Sequence, residues 1–289
     1  METGEGAVRG AVGLVSVLGI LPRHHARAGE VSLLSLMLRP PTAMERLLEA
    51  DASAEASGSS AATLPPLPSG IALRMQQASW EDAGTGGLLW PAASVMCRWL
   101  SRQAAKVEGS RVLELGCGTG AVGLYAAGLG ASRVLLTDGS DDVLQNCRRN
   151  ITLNASAFRG AVDVATHKLS FGDSILPVGP WDWVLASDCV YANDWKALAQ
   201  TVRGLVRSQD PPPRVILTIP HRRPGPVLSD AFRADAKGLR ASTLEVERTP
   251  KHDGGGRLPS EQMVAVSVIE LSRAGEPEEM RRQSSRQQL

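Results

Sequence analysis

The chain has 289 residues, 43% hydrophobic and 21% charged, with a formal net charge of +1, which is the composition of an ordinary soluble globular protein. That balance argues against a nucleic-acid binder driven by bulk positive charge. No apolar run reaches the ~18–20 residues that a membrane span requires.

The chain begins with "AVRGAVGLVSVLGILPRHHARAG", an apolar stretch followed by basic residues but preceded by Glu2 and Glu5. Secretory and transit segments are poor in acids at this position, so a short amphipathic or loosely ordered extension is expected, with an organellar signal as the alternative. Residues 51–69, "DASAEASGSSAATLPPLPS", are low in complexity and read as a linker. Three parts follow: an extension and linker over 1–69, one domain over 70–273, and a polar tail over 274–289.

Within the domain, "RVLEL" (111–115), "SRVLLT" (132–137), "VDVATHKLSF" (162–171), "WDWVLAS" (181–187) and "RVILTIP" (214–220) read as strands. Between them "AVGLYAAGLG", "DDVLQNCRRNITLN" and "NDWKALAQTVRGLVRS" have helical spacing. Apolar strands separated by helices predict a parallel sheet covered on both faces. "RASTLEVERT" and "EQMVAVSVIELS" then follow one another with no helix between them, which predicts an antiparallel hairpin at the sheet edge. The fold class is therefore α/β, a doubly wound, mostly parallel Rossmann-like sheet of seven strands with an antiparallel C-terminal edge. Cys97, Cys117, Cys147 and Cys189 form no C-x-x-C pair, so zinc ligation is not expected and reduced thiols are.

The first strand runs into "LELGCGTGAVGL" (113–124). It contains G-x-G-x-x-G as Gly118, Gly120 and Gly123, and the looser form ending in alanine as Gly116, Gly118 and Ala121. Glycine lets the backbone turn tightly and approach a ligand closely. Asp138 stands at the end of the second strand, about twenty residues on, where a carboxylate can accept from ribose hydroxyls. This spacing fits NAD and S-adenosylmethionine equally. Glu114 at the mouth of the turn favours a cationic ligand over a pyrophosphate. The Tyr-x-x-x-Lys of short-chain dehydrogenases is missing, because Trp195 stands four residues after Tyr191.

The order E-L-G-C-G-T-G, Asp138, L-S-F-G-D and A-S-D-C-V-Y resembles the class I S-adenosylmethionine-dependent methyltransferases. More narrowly it is similar to the seven-strand protein-lysine methyltransferases of the methyltransferase-16 group. "GTGGLLWPAASVMCRWL" resembles the segment that precedes the glycine motif in that group, and "SDCVYANDWKAL" its D-x-x-Y motif. The resemblance covers about residues 71–272 and implies S-adenosyl-L-methionine as cofactor and a protein lysine as acceptor. Cofactor contacts are implied for Trp90, Glu114, Gly116, Gly118, Asp138, Phe171, Asp173 and Ser187, with Asp188 and Tyr191 at the lysine entry.

Each assignment has a plainer reading beside it. Trp90, ahead of Pro91 at a helix start, also serves as a core anchor. Phe171 stands where the family carries tryptophan and offers a smaller π face to adenine, or fills the core. Asp173 either reaches adenine or caps a turn. Asp188 leaves an apolar strand for the crevice, where an unpaired charge is costly, and Cys189 beside it is a packing residue. Trp181, Trp183 and Trp195 flank the substrate opening or lie in the core. His221, with Arg222 and Arg223, reads as a basic solvated loop or as a contact for an acidic surface. The expectation is a cytoplasmic monomer, with nuclear or organellar placement as alternatives, no metal, no membrane contact and no nucleic-acid partner. A small-molecule or nucleic-acid methyltransferase, an NAD-dependent dehydrogenase and a non-catalytic binding module are the competing functions.

Overall fold

A computed structural model describes residues 64–177, 179–190, 195–221, 238–250 and 263–273, all within one compact unit spanning 43–289. Seven strands form one sheet in the order β3-β2-β1-β4-β5-β7-β6. They are β1 (Arg111–Leu115), β2 (Arg133–Asp138), β3 (Asp163–Lys168), β4 (Trp183–Ser187), β5 (Arg214–Pro220), β6 (Leu239–Pro250) and β7 (Met263–Arg273). The β1–β2, β1–β4, β2–β3 and β4–β5 pairs are parallel. β7 lies antiparallel between β5 and β6, so the expected edge hairpin forms, with a register break between Thr243 and Glu245. The sheet order reverses between β1 and β4, which places a crevice beyond the carboxyl ends of those two strands.

Four helices matter for the site: α1 (Pro91–Ser101), α2 (Ala121–Gly128), α3 (Asp141–Asn154) and α4 (Trp195–Ser208). Short helical turns occupy Trp80–Ala83 and Ala104–Val107. Strand residues alternate between two cores. Val112, Val134, Leu136, Leu185 and Ile216 pack with α1, α2 and α3 on one face. Leu113, Leu115, Leu135, Val184 and Leu217 pack with α4 on the other. Pro91 sits at the first position of α1, where its missing N–H costs nothing. Ser140 caps α3 by accepting from Val143 N.

The amino ends of the strands are held by charge and aromatic contacts. Arg111 forms a two-pronged pair with Asp182, both bonds 2.9 Å long. The Arg214 guanidinium lies 5.3 Å from the Trp99 ring and 4.9 Å from the Trp183 ring, and its Nε donates to Glu270 at 2.6 Å. Trp181 and Trp183 are both buried in the core, so neither walls a substrate opening.

Packing begins before residue 70. Leu67 is 2% exposed and sits over Gly128, where an added Cβ would lie 2.6 Å from a Leu67 methyl. The Tyr125 hydroxyl donates to Pro66 O at 3.0 Å. Residues 64–69, expected in the linker, are therefore part of the packed unit: a proline-rich stretch in a low-complexity run still carries one buried side chain, Leu67.

Helix α2 approaches β1 closely enough for Gly123 N to donate to the Glu114 carboxylate at 2.8 Å. A Cβ at Gly123 would stand 2.2 Å from a Leu136 methyl and 2.9 Å from Glu114 Oε2, so only glycine fits. Glu114 is 2% exposed. Burial pushes its carboxyl up from 4.5 to about 8; the Gly123 hydrogen bond opposes this and the nearby Asp138 adds to it.

Two outcomes are expected. Leu67→Ala lowers the unfolding free energy by about 2–3 kcal/mol in denaturant titrations, whereas a solvated linker would leave it unchanged. Folded Glu114 keeps a proton that the unfolded chain has released between 4.5 and about 8, so its contribution is full below that window and falls as pH rises through it. Glu114→Gln removes this slope, up to about 1.4 kcal/mol per pH unit, which stability curves at pH 5, 6.5 and 8 measure against the unsubstituted protein.

Candidate functional site

A cavity of about 420 Å³ opens beyond the carboxyl ends of β1, β2 and β4, within the size range of cofactor pockets. Its floor is the turn after β1. Gly116, Gly118 and Gly120 have φ of +59°, +54° and +82°, in the left-handed region that favours glycine. Space adds to this: an added Cβ on Gly120 would lie 2.7 Å from Cys147 Sγ. A Cβ on Gly116 would lie 2.7 Å from Cys189 Sγ and 3.1 Å from Phe171 Cζ, and one on Gly118 would lie 3.1 Å from Gly86 O. Both glycine registers are therefore used: Gly116 and Gly118 shape the cradle, while Gly120 starts α2 and Gly123 lets it pack.

Asp138 ends β2 and faces the same cavity. Its carboxylate accepts from Gly118 N at 3.2 Å and Ser140 N at 3.1 Å. Burial raises its pKa, and those backbone donors oppose the shift. Glu114 also lines the cavity. Its carboxylate is committed to the start of α2, and with a pKa of about 8 it is largely protonated at neutral pH. It is thus a buried acid that a cationic ligand would ionise, not the standing negative charge expected from the sequence.

The upper wall comes from the segment before α1. Trp90, the residue preceding Pro91, lines the cavity and its indole N–H donates to Thr85 O at 2.9 Å. Thr85, Gly86, Leu88 and Leu89 complete this wall. All four lie in the segment "GTGGLLWPAASVMCRWL" that the sequence resemblance marks, although only Trp90 was named from it as a contact. Phe171 lines the opposite side and packs partly into the second core, so its two readings are compatible. Leu169, Ser170 and Ala197 lie beside it.

Asp173 is not brought to the cavity. It is exposed, and its carboxylate accepts from Ser170 N at 2.8 Å, so it caps the turn after β3. A carboxylate three residues after a free backbone N–H satisfies it locally and is held away from the crevice by doing so.

Ser187 and Asp188 close the site at the end of β4. Ser187 Oγ accepts from Thr218 Oγ1 at 3.0 Å. Asp188 is 6% exposed and has a φ of +58°, the one non-glycine residue with positive φ among the described residues. Its N–H donates to Thr218 O at 2.9 Å, which locks the turn onto β5. A strained conformation of this kind costs about 1 kcal/mol or more and persists where the surroundings over-determine it. Cys189 is buried, with burial raising its thiol pKa, and its Sγ donates to Leu115 O at 3.3 Å, so it packs against the glycine turn. Tyr191, Arg222 and Arg223 lie outside the described residues. His221 Nε2 stands 2.8 Å from Ser267 Oγ, on the β5–β7 seam. Among the described residues no cluster of His, Cys, Asp and Glu could hold a metal ion, and no helix is long and apolar enough to cross a membrane.

These residues fit an adenosine cofactor with an amino-acid tail. The glycine cradle leaves room that any side chain would fill, Asp138 offers carboxylate oxygens at the ribose position, and the walls are apolar and aromatic. A pyrophosphate at the floor of the turn would meet the half-buried Asp138 carboxylate.

Comparison with known proteins agrees with this geometry. A family profile described as lysine methyltransferase matches residues 69–226, more than half of the chain. Protein N-lysine methyltransferase METTL21A of Danio rerio is 35% identical over 136 residues, 46% of this chain and 61% of that protein. Calmodulin-lysine N-methyltransferase of Arabidopsis thaliana is 34% identical over 124 residues, 42% of this chain and 40% of that protein. The chain thus spans less than two thirds of the length of these two relatives. Histone-arginine methyltransferase METTL23 of Xenopus laevis is 29% identical over 210 residues, 66% of this chain and 81% of that protein. Among solved structures, magnesium protoporphyrin IX methyltransferase of Synechocystis is 16% identical with a TM-score of 0.45, over 67% of this chain and 86% of that chain. The chain belongs to the lysine methyltransferase family, whose methyl donor is S-adenosylmethionine.

Proposed function

We propose that this protein transfers a methyl group from S-adenosylmethionine to the side-chain amine of a lysine in another protein. The observation that carries the reading is Asp188, a buried acid held at a left-handed φ in the same cavity as the glycine cradle. The relatives named for lysine methylation support it. A second reading, an arginine acceptor, is favoured by the histone-arginine relative, which aligns over more of this chain than the two lysine-specific relatives.

Bound S-adenosylmethionine supplies an activated methyl group on a positively charged sulfur. The protein supplies position, a dry channel and control of charge. Gly116, Gly118 and Asp138 hold the nucleoside end, while Glu114 ionises as it meets a cationic group and so gives up a proton. A free lysine has a pKa of ~10.4, so the acceptor arrives as an ammonium. Asp188 attracts and orients that ammonium. The apolar walls at Leu88, Leu89, Trp90 and Phe171 then disfavour the charged form and promote loss of the proton. Asp188 acts as a positioning group; alignment of two reactants alone contributes on the order of 7–11 kcal/mol. The four cysteines are free thiols, which supports a reducing, cytosol-like location.

The test incubates the protein with methyl-labelled S-adenosylmethionine and a lysate of its own cells. The expected result is a labelled protein band that yields methyl-lysine on hydrolysis. Asp188→Ala reduces transfer by ~100-fold or more while binding of S-adenosylhomocysteine stays within a few-fold. Label recovered as methyl-arginine selects the second reading. Retained cofactor binding with no transfer to any protein sinks both.

A further inference from the structure

Three asparagines on α3 stand one turn apart: Asn146, Asn150 and Asn154, all buried. They face an extended segment, residues 71–78, and bond its backbone as a neighbouring strand would. Asn154 accepts from Arg74 N and donates to Arg74 O, both at 2.8 Å. Asn150 repeats the clasp two residues on, accepting from Gln76 N at 2.8 Å and donating to Gln76 O at 2.9 Å. Asn146 adds a bond to Gln76 O at 3.1 Å.

Asn150 differs from Asn154 in where its remaining donor goes. It is 0% exposed, and its amide also donates to Thr119 O at 3.0 Å, inside the glycine cradle. Asn154 instead spends that donor on Asn150 O, within its own helix. The residues after Gln76 carry the clasp into the upper wall. Gln77 Oε1 accepts from Leu89 N at 2.6 Å, and Ala78 N donates to Gly87 O at 2.9 Å. One amide therefore ties the cradle at Thr119 to the wall at Gly87 and Leu89. The two walls face each other at Gly86 and Gly118, where an added Cβ on Gly118 would lie 3.1 Å from Gly86 O.

The geometry points to Asn150 as a positioning residue that sets the distance between the glycine cradle and the 85–90 wall, and through it the affinity for the adenosine cofactor. This rests on the cofactor reading above. The side chain is fully buried and its bond to Thr119 O is too, and losing a buried partner costs the full desolvation of the group left behind. Aspartate at this position keeps the shape and the bond from Gln76 N. When ionised it turns two attractive contacts, to Gln76 O and Thr119 O, into repulsive ones. When protonated it regains one donor.

The experiment measures S-adenosylhomocysteine binding by calorimetry and backbone amide exchange in the free protein, for N150D, N150S and N154A. N150D binds about tenfold or more weakly at pH 9, and its ratio to the unsubstituted protein narrows toward pH 6 as the new carboxyl takes up a proton. Amides of Ala78 and Leu89 exchange faster in N150D and N150S. N154A lowers the melting temperature but leaves binding within about twofold and those two amides protected, because Asn154 touches neither wall. Should N150D fail to fold, N150S carries both readouts. Unchanged affinity and exchange in both Asn150 variants overturn the inference, as does an equal loss in N154A. A protein that binds no S-adenosylhomocysteine refutes the cofactor reading instead, and the amide exchange still decides whether Asn150 couples the two walls.

Discussion

The close approach of α2 to β1 is the constraint on which the rest of the molecule depends. Gly123 permits it, since any side chain there would drive into Leu136 and Glu114. Its consequence is that Gly123 N can reach the Glu114 carboxylate and that the turn between strand and helix has to be made in very few residues. Three glycines at positive φ make that turn. The same compression that buries Glu114 and raises its pKa to about 8 also empties the space above the turn, because no side chain can project into it. Packing and cofactor cradle are thus one feature. A change that loosened the helix would fill or deform the cavity.

The two ends of the sheet are stabilised by different means. At the amino ends, long charged side chains lie over aromatic rings and pair with carboxylates, as Arg214 does between Trp99, Trp183 and Glu270. Such contacts are tolerant, since each partner can shift and keep most of its attraction. At the carboxyl ends, backbone groups and short side chains hold the structure: Asp138 to the glycine turn, Asp188 N to β5, Asn150 to two loops at once. Short partners fix positions within a few tenths of an ångström, which is what alignment of a methyl donor and an acceptor requires. Strain at Asp188 is sustained at this end because β5 holds the turn from below.

The strand and helix pattern was largely legible because burial imposes periodicity. β1, β5 and α3 fall where the apolar runs and the helical spacing place them. The edge hairpin was legible from the missing helix between two extended runs. Residues that line the cavity from a strand end, such as Gly116, Gly118, Asp138 and Asp188, could be named in advance, since the end of a strand in a parallel sheet points to the crevice. Asp173 shows the limit. Asp138 is the last residue of its strand, but Asp173 follows the end of β3 by a turn, and Ser170 N takes its carboxylate. Local hydrogen-bond competition of this kind leaves no mark in residue order. Leu67 failed for the opposite reason: its composition is that of a linker, and only a groove over Gly128 gives it a place to be buried.

By itself the sequence determined the doubly wound sheet, the glycine turn, the acids at the strand ends and, through the resemblance they carry, the class of cofactor. These depend on periodicity and on steric needs that travel with the residue type. Only the tertiary structure decided the state of Glu114, what holds the wall at 85–90 in place and the part played by Asn150. Each of these depends on groups distant in the chain meeting within hydrogen-bond range: Glu114 on the depth of burial beneath α2, the wall on a strap clasped by α3, and Asn150 on Thr119 and Gln76 arriving on either side of one amide. An asparagine ladder on a helix reads as a polar face until the segment it binds is seen lying against it.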